Sequence, residues 1–139
     1  MFTDMVGYSR MVANNQDHAL RLLDQHNDII LTLIKEHDGR VIKLIGDSVF
    51  AHFDTAKHAA YCAIQIQHDI QKRNKLSHKD DHFYIRIGLH KGQFVVKDDD
   101  LFGNDVNLGS RIEGIAPKDG IAVSELFSKD IEKNQNMWL

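Results

Sequence analysis

The chain has 139 residues, enough for one domain with a substantial core, and its 42% hydrophobic and 27% charged residues exclude a disordered or low-complexity chain. A formal net charge of -3 provides no general basic surface, so nucleic acid is not an expected partner. One cysteine excludes an internal disulfide framework, and with no signal peptide and no apolar run near the ~20 residues of a membrane span, a soluble cytoplasmic domain is expected.

Met1 to Met5 read as a strand, short for a central position, ended by the turn Val6-Gly7-Tyr8. From Ser9 to Glu36, Ala19, Leu22, Leu23, Ile29, Ile30, Leu33 and Ile34 recur at helical intervals and predict one long amphipathic helix, stopped at Gly39. Val41 to Phe50 predicts a hairpin turning at Gly46-Asp47. Thr55 is placed to cap a helix reaching Asn74, with Ala56, Ala59, Ala60, Ala63, Ile66 and Ile70 on one face. Cys62 lies among Ala59, Ala63 and Ile66 at the same spacing and reads as a packing residue.

The polar stretch Lys75 to Asp81 predicts a loop. Phe83, Ile85, Ile87 and Leu89 alternate with Tyr84, Arg86, Gly88 and His90, the period of a strand, and Phe94-Val95-Val96 is expected to continue the sheet after Gly92. Asp98-Asp99-Asp100 reads as a turn and Asn104 as the cap of a helix from Asp105 to Ile115, closed off by Pro117 and Gly120. A short strand, Ile121-Ala122-Val123, and a last helix, Glu125 to Glu132, follow. Strand, helix, hairpin, helix, strand predicts an α+β fold with a ferredoxin-like βαββαβ core, an antiparallel-rich sheet carrying its helices on one face.

Asp4 and Asp47 each follow a strand-like run. If the first strand lies beside the hairpin, the two carboxylates converge as oxygen ligands for a pair of divalent ions opposite a nucleotide triphosphate; the alternative is two ordinary turn aspartates. The backbone N–H groups of Val6, Gly7 and Tyr8 either face phosphates or simply connect two elements. Asn107 and Arg111 are four apart and share a helix face, which meets either a common ligand or solvent. The nine histidines show no ligand spacing and read as surface or structural residues.

Four motifs stand in order: Phe2-Thr3-Asp4-Met5-Val6-Gly7-Tyr8-Ser9, Lys43-Leu44-Ile45-Gly46-Asp47, Arg86-Ile87-Gly88-Leu89-His90-Lys91-Gly92, and Asp100-Leu101-Phe102-Gly103-Asn104-Asp105-Val106-Asn107-Leu108-Gly109-Ser110-Arg111. Together they resemble the catalytic domain of class III adenylyl and guanylyl cyclases. The resemblance implies that Asp4 and Asp47, helped by the Met5 carbonyl, hold two Mg2+ or Mn2+ ions. It implies that Val6, Gly7, Tyr8 and Arg86 meet the triphosphate, that Lys43 and Asp100 read the purine, and that Asn107 and Arg111 orient the ribose and stabilise charge on the α-phosphate. A lysine donates to adenine N1 and a carboxylate accepts from its N6 amino group, whereas guanine inverts both demands, so Lys43 with Asp100 favours ATP.

The same resemblance implies a homodimer in which Asp4 and Asp47 of one protomer face Lys43, Asp100, Asn107 and Arg111 of the other. The activity implied is conversion of ATP to cyclic AMP and pyrophosphate in intracellular signalling. A guanylate cyclase and a noncatalytic module that dimerises or binds nucleotide are the alternatives, and the absence of a Gly-Gly-Asp/Glu-Glu-Phe signature disfavours a diguanylate cyclase. Domains of this family begin earlier and continue through strands bearing a phosphate-binding lysine, which neither Lys129 nor Lys133 matches. Residues 1–139 are therefore expected to be a single catalytic domain truncated at both ends, with any regulatory domain or membrane segment in a longer parent.

Overall fold

The alternation of one short strand, β1 (Phe2–Met5), sets the two faces of the sheet: Thr3 and Met5 are buried, while Phe2 and Asp4 turn to the opposite side. The computed structural model describes residues 1–98 and 100–133. After β1 come α1 (Tyr8–Asn14), α2 (Gln16–Glu36), β2 (Arg40–Ile45), β3 (Ser48–His52) and α3 (Ala56–Lys75). A single 3-10 turn, Lys79–Asp81, leads to β4 (Ile85–Leu89), β5 (Val95–Lys97), β6 (Asp100–Phe102), α4 (Asn104–Gly114), β7 (Ile121–Val123) and α5 (Glu125–Glu132).

The main sheet has the order β2-β3-β1-β4-β7, antiparallel except for β7, which runs parallel to β4. Its first four strands with α2 and α3 are the expected ferredoxin-like core. Ile30 and Ile34 from α2, Ile66 and Ile70 from α3, and Phe83, Ile85 and Ile87 on and before β4 are fully buried in one cluster. Cys62 lies in that cluster, and burial pushes its thiol up to about 12, so it packs as a small apolar residue and carries no reactive thiolate.

Four local expectations need correction. The long helix is broken at Asn15, whose extended backbone (φ -161°, ψ 99°) ends α1 while its side chain accepts the His18 N–H at 3.1 Å and caps α2. Asparagine competes for backbone donors and so interrupts a pattern that apolar spacing alone reads as continuous. Phe94-Val95-Val96 does not extend the main sheet: β5 pairs with β6 in a separate two-stranded ribbon, Val95 opposite Phe102 and Lys97 opposite Asp100. Asp98 takes the turn conformation (φ 51°), Asp100 already opens β6, and Asp99 lies outside the described residues. The N-cap position of α4 is Gly103, at φ 139°, and Asn104 is the first helical residue.

Helix α4 crosses the face opposite α2 and α3, and it can do so only where side chains are missing. A Cβ on Gly88 of β4 would lie 2.3 Å from the Glu113 backbone nitrogen, and one on Gly109 of α4 would lie 2.8 Å from the Phe2 ring. Gly88→Ala is expected to force helix and sheet apart and cost ~1–3 kcal/mol, read as a lower urea midpoint. Gly114→Ala, where a Cβ meets nothing within 4 Å, should be neutral or slightly stabilising. Equal midpoints for the two variants would refute this account of the contact.

Candidate active site

The register places Asp4 directly opposite Arg86 across β1 and β4. The β2–β3 hairpin turns at Gly46 (φ 57°) and Asp47, and Asp47 Oδ2 accepts the Met5 N–H at 2.8 Å. That hydrogen bond ties the hairpin tip to the end of β1 and brings the two aspartates together. Asp4 Oδ1 is buried without a hydrogen-bond partner, and Arg86 Nη1 stands 3.9 Å away. An orphaned carboxylate oxygen beside a second acid is costly unless a cation meets it, so the all-oxygen donor set fits a hard divalent ion. Among the described residues no group of three or more His, Cys, Asp or Glu side chains forms a metal cage. A cation here would depend on Asp4, Asp47, the Met5 carbonyl and oxygens of a bound ligand, the sparse protein coordination that Mg2+ takes beside phosphates.

Sequence reading missed Glu113. It is only 8% exposed and its carboxyl faces that of Asp4. Burial, then the contact with Asp4, pushes Glu113 well above the usual carboxylate range, to about 8. Asp4 is also raised, chiefly by burial and further by Asp47, while the contact with Glu113 and the Arg86 charge oppose the rise. The available signal was spacing: Glu113 is four residues after Gly109, so an acid sits on the packed face of α4.

Lys43 and Asp100, 57 residues apart, meet as an ion pair with Nζ 2.5 Å from Oδ2. This bond, and then the Leu101 N–H, hold the Asp100 carboxyl below the usual range. Asn107 and Arg111 project from the exposed face of α4 and make no side-chain hydrogen bond or ion pair among the described residues. The start of α4 is held by His90, whose ring nitrogens meet Ser124 Oγ at 2.7 Å and Asp105 Oδ1 at 2.8 Å; His90 is thus a structural histidine. Val6 departs from expectation, since its N–H already donates to the Tyr84 carbonyl at 2.8 Å and is not free for an anion. Gly7, at φ 70°, and Tyr8 open α1 without a side-chain cap.

Glu113 gives a pH dependence with a definite sign. Its folded-state affinity for a proton exceeds that of the unfolded chain, so its stabilisation is complete below the ordinary glutamate value of ~4.3 and is lost as pH rises toward about 8. In chelator-treated protein the melting temperature should fall across that window, and Glu113→Gln should flatten the fall. The same slope in the variant would assign the effect to other groups.

The sequence model described as the adenylate and guanylate cyclase catalytic domain matches residues 1–137. "Putative adenylate cyclase 3" of Rhizobium meliloti (strain 1021) is 36% identical over 124 residues, covering 88% of this chain and 21% of the relative. "Adenylate cyclase" of Streptomyces coelicolor is 28% identical over 136 residues, covering 97% of this chain and 34% of the relative. The chain thus spans between a fifth and about a third of the length of these curated relatives. The crystal structure of "Adenylate/Guanylate Cyclase/Hydrolase" from Silicibacter pomeroyi superposes with a TM-score of 0.86 at 33% identity, over 96% of this chain and 77% of that one. With a family match along nearly its whole length and the same fold as a 33%-identical structure, the chain belongs to the adenylate and guanylate cyclase catalytic domain family.

Proposed function

We propose that the chain converts ATP to 3',5'-cyclic AMP and pyrophosphate at a site completed by a second copy of itself. The observation that carries this reading is the hydrogen bond from Met5 N–H to Asp47 Oδ2, which sets a second carboxylate beside the orphaned oxygen of Asp4. Two Mg2+ or Mn2+ ions held there by Asp4, Asp47 and the Met5 carbonyl would favour the 3'-alkoxide and neutralise the triphosphate. Arg86, across the strand pair from Asp4, meets phosphate oxygens, as do the N–H groups of the Gly7-Tyr8 turn. Asn107 orients the ribose, and Arg111 stabilises charge building on the α-phosphate.

The separation of the acidic cluster from the main clefts is consistent with a shared site. Clefts of about 490 Å³ and 160 Å³ are lined by neither Asp4, Asp47 nor Arg86. Exposed Leu44, Ile45, Val95, Val96 and Phe102 on the hairpin and the β5–β6 ribbon offer apolar surface for a partner. Asp47→Ala and Asn107→Ala are each expected to lower kcat by roughly 10²-fold or more. Mixed together, they should regain activity, because a heterodimer keeps one intact site. No regain in dimers verified by light scattering would reject the shared arrangement.

The Lys43–Asp100 pair supports adenine as the base. Lys43→Glu should lower kcat/KM for ATP by about tenfold or more, since it removes the N1 donor and sets two carboxylates side by side. Adding Asp100→Cys relieves that repulsion and should shift preference toward GTP. Unchanged ATP-to-GTP selectivity in both variants would exclude base reading by this pair.

A further inference from the structure

Lys118 stands on the turn before β7, outside every motif discussed above. The turn is held rigidly against the start of β4. Gly120 N–H closes it on the Pro117 carbonyl at 2.8 Å, Asp119 N–H donates to the Ile85 carbonyl at 3.1 Å, and Ile87 N–H donates to the Gly120 carbonyl at 3.2 Å. The buried Gln67 amide then grips both sides, donating to Ile85 O at 3.2 Å and to Gly120 O at 3.0 Å. Lys118 extends from this clamp over the Tyr84 ring, its Nζ 3.8 Å from the ring centroid.

Tyr84 and Arg86 alternate with the buried Phe83, Ile85 and Ile87, so they share the face of β4 that carries Asp4 on β1. Val6, bonded through its N–H to the Tyr84 carbonyl, marks the same level on the neighbouring segment. Tyr84 therefore lies about 7 Å along β4 from Arg86, two residues of strand toward the Val6-Gly7-Tyr8 turn, and Lys118 covers its ring from the neighbouring β7 side. Among the described residues Lys118 makes no ion pair; the acid that feels its charge is the adjacent Asp119, which burial holds above the usual carboxylate range.

We infer that Lys118 is a second phosphate cation of the acidic protomer, extending the positive charge of Arg86 toward the terminal phosphates of a bound nucleoside triphosphate. The inference rests on the cyclase reading above and deepens it. The same protomer that offers Asp4 and Asp47 would then hold the tail of the nucleotide from both ends. An exposed ammonium on a hydrogen-bonded turn suits this task, since the Tyr84 ring holds its charge at a defined point until a phosphate takes it.

Calorimetric titration with a noncyclisable ATP analogue, α,β-methylene-ATP with Mn2+, and separately with AMP, tests it. Lys118→Met keeps the packing on Tyr84 and removes the charge. It should weaken the triphosphate analogue roughly five- to tenfold, leave AMP binding and the melting temperature unchanged, and be restored by Lys118→Arg. Analogue affinity equal to that of the unaltered chain overturns the role of Lys118, and so does an equal loss for AMP, which would mark a structural effect. Failure of the unaltered chain to bind the analogue overturns the nucleotide reading, and this inference with it.

Discussion

A slip of β1 by one residue against its neighbours would turn Asp4 into the core and Met5 out to solvent, because side chains alternate strictly along a strand. The native register, Phe2 opposite Phe50 and Gly88 and Asp4 opposite Arg86, is held from both faces. Beneath the sheet Met5 belongs to the core cluster with Val49, Ile85 and Ile87, and Thr3 is buried opposite Val49 and Ile87. Above it Phe2 stacks on Phe50 with ring centroids 4.3 Å apart. Ordinary hydrophobic packing of a four-residue strand thus aims a carboxylate, and every later feature of the site is built around where it points.

Around Asp4 the fold gathers more acid than base. Asp47 arrives on the hairpin tip, Glu113 on the packed face of α4, and Arg86 is the cation opposite. Such a cluster disfavours folding by itself, as the raised proton affinities of Asp4 and Glu113 record. Buried acids left short of counter-charge are a general mark of sites tuned for something other than stability. A divalent cation bound there would relieve this repulsion, which makes the cluster coherent with the proposed chemistry.

Helix α4 has two roles because its two faces differ. One face lies so close to the sheet that only Gly88 and Gly109 permit it, and that closeness delivers Glu113 to Asp4. The other carries Asn107 and Arg111 outward, where no group among the described residues makes a hydrogen bond or ion pair with their side chains. His90 holds the helix start through Asp105, and Asp105 Oδ2 also accepts the Gln93 N–H leading into the β5–β6 ribbon. Asp100 on that ribbon reaches Lys43 on β2, so the Lys43–Asp100 ion pair depends on a scaffold spanning much of the chain.

Periodicity made much of the fold legible: the apolar stripes of α2 and α3, the alternation of β4, the hairpin turn at Gly46-Asp47 and the cap Thr55 are local patterns that tertiary packing respects. Where a local rule competes with another, the reading failed, as at Asn15, where capping outcompetes helix continuation. A short apolar run such as Phe94-Val95-Val96 states that it will pair but not with what.

By itself the sequence determined the order of the core strands and helices, the family motifs and the residue types at Asp4, Asp47, Lys43, Asp100, Asn107 and Arg111, because these reside in spacing along the chain. Only the tertiary structure decided that Asp47 would meet the Met5 amide, that Lys43 would pair with Asp100, that Val6 would spend its N–H on Tyr84 and that Glu113 would face Asp4. Each of those depends on strand register or on helix-to-sheet distance, and neither is written in any single segment.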